Sequence, residues 1–325
     1  MRFVFRSDAS LRTGVGHVMR SSAIAEEAID RGISCVFIGE ITEIPWLSIR
    51  VRNLGFHEVI GTDKGFVPSS KSDVLILDSY SVHPQYEFID LKNWLAVINI
   101  FDNATPNYNS NLRIHPGIEK ISDFQFHHKT LSGPEYTPIR KSLFKRKSTL
   151  EKGKLRISVI GGGTDVHGFV SAIAEVLKEL DIDFLARLVT TFPIDLEQDT
   201  RFEIIKPGLD IDSIFYDTDL AFTTASTTSL EFLFSGCAVG IACAIENQQG
   251  NYSLLAKSGI ARPIGVYVNG TWDLKSDAIL ALVSDISLRN ELRQYATNFI
   301  DSDGAKRIVD SILDLAHEIE EKGRI

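Results

Sequence analysis

Apolar residues in this chain come in short runs, spaced so that each reads as one buried strand. In the first half the runs fall at Arg2–Phe5, Cys35–Ile38, His57–Ile60, Val74–Leu77 and Ala96–Phe101. Between them the apolar positions take helical spacing, over His17–Arg31 and Pro84–Asn93. A second series follows at Leu155–Ile160, Phe184–Val189, Phe202–Ile205, Leu220–Thr223 and Val239–Cys243. From about Asp285 to Lys322 the pattern is helical, with Asp303 as an N-cap and Ile308, Ile312, Leu315 and Ile319 on one face. Strands alternating with helices predict doubly wound parallel sheets.

One segment breaks the alternation. "RKSLFKRKSTLEKGK" (Arg140–Lys154) is basic, rich in Ser and Lys, and carries no sustained period. It reads as the connection between two α/β domains, each opening strand, glycine loop, helix. The expected boundaries are 1–143 for the first Rossmann-like domain, 151–302 for the second and 303–325 for a terminal helix. A length of 325 residues suits that division. No repeat shows at the level of individual residues.

Composition narrows the function classes. With 43 acidic against 34 basic side chains, the net charge is −9. Such a surface disfavours nucleic-acid and anionic-membrane binding but leaves room for a small phosphorylated ligand held by backbone amides. Cys35, Cys237 and Cys243 have neither metal-ligand nor disulfide spacing and read as buried free thiols. No apolar run nears the ~20 residues of a membrane span, and no signal-like start is present. A cytoplasmic protein follows as the expectation, and its size and charge are compatible with a monomer.

In open α/β sheets ligands lie beyond the carboxyl ends of the strands, and here those ends carry small, polar or catalytic residue types. The first strand leads into "RSDASLRTGVGH", the fourth into "DSY" and the fifth into "DNATPN". In the second half "GGGTDVHG" (161–168), "TASTTSLE" (224–231) and "AIENQQGN" (244–251) occupy the same places. Gly14 and Gly16 precede His17 at the start of a predicted helix, a position that disfavours the imidazolium and suits a general base. Asp8, at the same strand end, would orient that ring or hold the loop.

Gly162 and Gly163 open a second anion-friendly helix start, although a plain strand-to-helix turn explains them too. Thr227, Thr228 and Ser229 offer hydroxyls and N–H groups to a diphosphate, and Glu231 suits a ribose diol; an ordinary capping box has the same look. The other histidines (His57, His83, His115, His127, His128, His167 and His317) are read as surface residues. The D-x-D pairs at 181–183, 210–212 and 301–303 fall in predicted turns or at a cap, so no metal site and no cofactor is expected.

Taken in order, these motifs resemble a known family. "RSDASLRTGVGHVMRSSAIA", "LDSY", "GPEYTPIRKSL", "GGTD", "STTSLE" and "ENQ" look like those of the UDP-sugar hydrolases of pseudaminic acid biosynthesis, relatives of the GT-B glycosyltransferases. The resemblance reaches from the N-terminus to about residue 260. It implies two facing Rossmann-like domains with a ligand cleft between them. It also implies metal-independent hydrolysis, with inversion, of a UDP-linked 2,4-diacetamido-2,4,6-trideoxy hexose. The family's catalytic histidine falls on His17; Tyr80 and Asn247, with Gln248 beside it, would hold the sugar or the water. Glu231 would take the ribose and the "STT" helix start the diphosphate.

The sequence departs from the family at Ala225-Ser226, Gly236-Cys237-Ala238, Phe101-Asp102 and "RIHPG" (113–117). These positions touch the nucleotide end and the sugar pocket. A transferase on the same fold, using a UDP- or CMP-linked sugar with His17 deprotonating an acceptor, is the competing reading, and a non-catalytic sugar-nucleotide binder a third.

Overall fold

A computed structural model describes residues 1–61, 71–85, 87–102, 108–121, 129–144, 153–196 and 199–322. It divides into two compact units, Met1–Lys141 with Ser302–Ile325, and Ser142–Asp301. Each carries one seven-stranded sheet among the described residues.

In the first unit the strands are β1 (Arg2–Ser7), β2 (Ser34–Ile38), β3 (Glu58–Ile60), β4 (Val74–Asp78), β5 (Ala96–Ile100), β6 (Leu112–Ile114) and β7 (Lys129–Leu131). They are all parallel, in the order β3-β2-β1-β4-β5-β6-β7. β4 and β5 are buried along their whole length, which is why they read as unbroken apolar runs. Helices α1 (Gly16–Asp30) and α2 (Pro45–Asn53) follow β1 and β2.

The second unit repeats the plan. Its strands β8 (Leu155–Ile160), β9 (Phe184–Val189), β10 (Phe202–Ile205), β11 (Leu220–Thr224), β12 (Ala238–Cys243), β13 (Arg262–Val268) and β14 (Thr271–Leu274) run β10-β9-β8-β11-β12-β13-β14. Only β14 is antiparallel. Its helices are α3 (Phe169–Lys178), α4 (Asp212–Tyr216), α5 (Thr227–Phe234), α6 (Gln249–Lys257), α7 (Ser276–Ser284) and α8 (Ile286–Ala296).

The two units share a detail invisible to residue matching. The Arg2 backbone N–H and guanidinium donate to Asp73, just ahead of β4. Arg156 does the same to Asp219, just ahead of β11. Both carboxylates are buried and would be costly without such a clamp.

Helix α9 (Gly304–Lys322) packs on α1 with Ile308, Val309 and Ile312 in the core of the first unit. The terminal helix is therefore part of the first unit rather than a segment of its own. The "GPEYTPIR" motif forms its seat. A Cβ on Gly304 would lie 2.0 Å from the Thr137 carbonyl oxygen, so that approach requires glycine. Arg307 donates to the Glu135 carbonyl at 2.9 Å, and Arg31 pairs with Asp310 at 2.6 Å.

Two expectations are corrected. Pro84–Asn93 is not one helix: short 3-10 turns at Glu87–Ile89 and Leu91–Asn93 replace it. Asp90 is extended, and its side chain takes the Lys92 N–H that a continuous helix would use. The terminal helical stretch is broken between α8 and α9, where Asn298 takes φ +63°. Of the expected connection Arg140–Lys154, residues 145–152 lie outside the described residues, as do 103–107 of "DNATPN" and His127 and His128.

Candidate functional site

The first unit gathers its chemistry at the carboxyl ends of β1, β4, β5 and β6. Gly14 takes φ +77°, a left-handed turn that brings the chain from β1 into α1. α1 begins with no side-chain cap at Val15, which leaves the helix start open to an acceptor. Gly16 is its first residue and His17 its second, with the imidazole buried.

His17 Nδ1 lies 2.6 Å from Asp78 Oδ1, at the end of β4. Arg20, one helical turn on, donates from Nη2 to the same oxygen at 2.6 Å and from Nε to Oδ2 at 2.7 Å. Ser21 adds a longer hydrogen bond at 3.2 Å. Burial would raise the Asp78 carboxyl, but Arg20 and then His17 hold it down to about 2. The guanidinium in turn is raised above its ordinary value: burial opposes the charge, and Asp78 outweighs it. An ionised carboxylate only accepts, so Nδ1 carries the hydrogen, and in the neutral ring the lone pair is then on Nε2.

Tyr80 stands beside this pair. Its ring meets His17 edge to face at 4.2 Å, and its hydroxyl donates to Asp102 Oδ2 at 2.5 Å. Arg20 Nη1 is 3.7 Å from that same Asp102 oxygen. One guanidinium thus links the His17–Asp78 and Tyr80–Asp102 pairs.

Asp8 is not on the imidazole. Its carboxylate accepts from Arg6 at 2.5 Å, from the Glu40 N–H at 2.9 Å, and from the hydroxyls of Ser79 and Ser81 at 2.7 and 2.5 Å. Burial opposes its ionisation, yet these donors, Arg6 foremost, hold it below the usual carboxylate range. Of the two roles expected for Asp8, loop holding is the one the geometry contains. Tyr108 pins the same loop, donating to the carbonyls of Ser79 and Val82.

The second unit holds the remaining expected residues. Gly162 takes φ +88°, and a Cβ there would approach Thr224 Oγ1 at 3.8 Å. Gly163 follows it in the loop to α3. The start of α3 is already occupied by an internal acid: Asp165, at φ +49°, accepts from the Val170 N–H at 3.3 Å and packs on Gly161. Burial pushes its carboxyl up to about 7, against the pull of the Val170 and Phe169 N–H groups.

At α5 no side-chain bond caps the helix from Ser226, and Thr227 and Thr228 are half-buried at its start. Ser229 differs from the expectation. Its hydroxyl donates to the Ser226 carbonyl at 2.7 Å and is fully buried, so it shapes the turn rather than facing a ligand. Glu231 is 5% exposed on the second turn. Asn247 sits in a 3-10 turn, Glu246–Gln248. Gln248 is fixed by accepting from the Ala244 N–H at 2.9 Å and donating to Thr224 Oγ1 at 3.5 Å.

No protein-family model matches the chain. Among curated proteins it is similar to the UDP-2,4-diacetamido-2,4,6-trideoxy-beta-L-altropyranose hydrolase of Campylobacter jejuni. The two are 23% identical over 273 residues, covering 80% of this chain and 97% of that protein. An uncharacterized protein of Methanocaldococcus jannaschii is 23% identical over 280 residues, 78% of this chain and 57% of its own length. Among solved structures, Arabidopsis thaliana UGT89C1 complexed with UDP-L-rhamnose superposes with TM-score 0.65 at 13% identity, covering 98% of each chain. The glycotransferase of kitacinnamycin does so with TM-score 0.64 at 14% identity, over 97% of this chain and 98% of that one.

The fold is GT-B. Both Rossmann-like units of that fold are present in this chain with one strand order. Among the described residues, no group of three or more His, Cys, Asp or Glu side chains is arranged to hold a metal ion. No helix among them is long and apolar enough to cross a membrane.

Sequence reasoning missed Asp78, Arg20 and Asp102 as site residues, although each stood inside or next to a motif it had singled out. Arg20 carried a signal: an arginine three residues after His17 shares its helix face. It also misplaced His115, which is buried at the end of β6 rather than on the surface.

Proposed function

We propose that this chain is an enzyme that hydrolyses a UDP-linked 2,4-diacetamido-2,4,6-trideoxy hexose, without a metal and with inversion, releasing UDP and the free sugar. The observation that carries this reading is the buried His17–Asp78–Arg20 cluster. Asp78 stays ionised, holds the Nδ1–H tautomer of His17 and leaves Nε2 able to take a proton. The similarity to the Campylobacter jejuni hydrolase supplies the substrate class.

Each role follows from the chemistry. His17 Nε2 removes a proton from water as the oxygen attacks the anomeric carbon. The bond from that carbon to the diphosphate oxygen breaks, and the electron pair leaves with UDP. Attack opposite the leaving group inverts the centre. A diphosphate is a good leaving group, so what remains is to meet its developing charge. The uncapped start of α5, with Thr227 and Thr228, and the Gly162-Gly163 loop suit that task. Glu231 is assigned to the ribose, and Tyr80, Asn247 and Gln248 to the sugar or the water. Cytoplasmic location and a role in surface-glycan biosynthesis belong to the same reading.

Transfer to an acceptor hydroxyl would use the same base. The test is incubation with the UDP-sugar, EDTA and no acceptor, followed by chromatography. UDP and free sugar appearing together support hydrolysis. An unchanged substrate, consumed only when an acceptor alcohol is added, makes the chain a transferase.

A further inference from the structure

Tyr80 meets the His17 cluster with its hydroxyl hydrogen already committed. That hydroxyl donates to Asp102 Oδ2 at 2.5 Å. Asp102 lies just past the end of β5, and Arg20 Nη1 stands 3.7 Å from the same oxygen. A phenol has one hydrogen, and a carboxylate paired with a guanidinium only accepts. The bond therefore runs one way, and what the Tyr80 oxygen offers the reactants is lone pairs.

His17 has the same character. With its hydrogen on Nδ1 against Asp78, the neutral ring presents a lone pair at Nε2. The two rings are in edge-to-face contact, centroids 4.2 Å apart, so both acceptors belong to one small group of side chains. A water molecule has two hydrogens to place, and an alcohol has one. As water attacks, one proton passes to Nε2. The other stays on the oxygen that becomes the product hydroxyl and needs an acceptor of its own. An alcohol would set a carbon where that second hydrogen lies.

Resting on the hydrolase reading above, we infer that Tyr80 and Asp102 select water over an alcohol as the nucleophile. The Tyr80 oxygen accepts the second hydrogen of the attacking water, and Asp102 is a positioning residue that acts through Tyr80. By taking the hydroxyl hydrogen, Asp102 keeps Tyr80 from donating to the water oxygen, whose lone pair has to reach the anomeric carbon. The balance is that of hydrolysis: the water oxygen bonds to that carbon, and the electron pair of the broken C–O bond leaves with UDP.

The test is the division of product between water and added methanol, with the UDP-2,4-diacetamido-2,4,6-trideoxy hexose as substrate. Free sugar and methyl glycoside are separated by chromatography, and their ratio does not depend on how much of a variant is folded. The wild-type chain is expected to give free sugar with little methyl glycoside. Tyr80→Phe keeps the ring and loses the acceptor. It should lower hydrolytic kcat about tenfold at unchanged KM and raise methyl glycoside relative to free sugar about tenfold, the worth of one hydrogen bond. Asp102→Ala should move the ratio the same way. Combined with Tyr80→Phe it should go no further than Tyr80→Phe alone, to within about twofold.

An unmoved ratio in Tyr80→Phe overturns the inference, and so does methyl glycoside formed by the wild type as readily as free sugar. Effects that multiply in the double variant overturn it too, because Asp102 would then act by a route of its own. A KM that rises while the ratio stays would put Tyr80 on the sugar instead. If Asp102→Ala gives no product, Asp102→Asn replaces it. Its amide oxygen still accepts the hydroxyl hydrogen, so a ratio near that of wild type supports the inference and one as high as that of Tyr80→Phe overturns it. A wild-type chain that gives neither product overturns the hydrolase reading and this inference with it. Free sugar from the wild type, with unmoved ratios in the variants, overturns this inference alone.

Discussion

His17 Nδ1 and Asp78 Oδ1 lie 2.6 Å apart across 61 residues of sequence, and Arg20 Nη2 reaches the same oxygen at the same distance. The histidine comes from the first turn of α1 and the carboxylate from the end of β4, adjacent to β1 in the sheet. Two elements buried on both sides fix the pair, so neither side chain has to be ordered when a ligand arrives.

Replacing the base while keeping a polar side chain of similar size tests its role. His17→Asn is expected to lower turnover by roughly 10²–10⁴-fold, the worth of a general base, and to leave UDP affinity within about threefold of wild type. Turnover assays with calorimetric UDP titration check both. Wild-type turnover would remove His17 from the chemistry.

Asp78→Asn removes the ionised acceptor and leaves the buried Arg20 with only its 3.7 Å ion pair to Asp102, so the cost is at or below the about 3–5 kcal/mol of a broken buried pair. The penalty depends on pH. The folded carboxyl sits at about 2, below the unfolded value of about 3.9. Its stabilisation is fully present above the unfolded value and is lost as pH falls through the folded one. The gap in Tm between wild type and variant should therefore be wide at pH 7 and narrow as pH falls from about 4 toward 2. Equal gaps across that window would contradict the pairing.

Asp165 carries the opposite sign. Its carboxyl is raised to about 7, chiefly by burial, above the unfolded value of about 3.9. Between those values the folded chain keeps a proton that the unfolded chain has released, so stability falls as pH rises through the window. Asp165→Asn can still accept from the Val170 N–H and does not titrate. Relative to wild type, its Tm should improve between pH 4.5 and pH 8, and a constant difference would refute the assignment.

Gly304→Ala tests the seat of α9. A Cβ 2.0 Å from the Thr137 carbonyl oxygen cannot be accommodated without moving backbone, so a loss of about 1–3 kcal/mol is expected by urea unfolding. A neutral substitution would show that α9 can slide on "GPEYTPIR".

Much of this was legible in the sequence. β8, β9 and β10 fall on the predicted runs: β8 and β9 are largely buried and so read as apolar, and β10, at the sheet edge, is marked by Phe202, Ile204 and Ile205. β6 and β7 escaped because each is only three residues and is interrupted by polar side chains, Arg113 in one and Lys129 and Thr130 in the other, which leaves no apolar run to read. His17 stood out through its local setting, two glycines and a helix start. Asp78, Asp102 and His115 did not, because their neighbours are brought together by the order of parallel strands, which a linear pattern does not encode. The matching clamps of Arg2 with Asp73 and Arg156 with Asp219 show the same limit. They repeat in space although the sequences around them differ.

The central claim is that His17 directs water onto an anomeric carbon. Its most direct test is proton NMR of the purified chain with the UDP-2,4-diacetamido-2,4,6-trideoxy hexose and no acceptor, following the anomeric signals from the first minutes. Hydrolysis with inversion predicts that the substrate signal declines while one free anomer, of configuration opposite to the substrate's, appears before mutarotation mixes the two. A free anomer of retained configuration, or a spectrum that does not change, would contradict it.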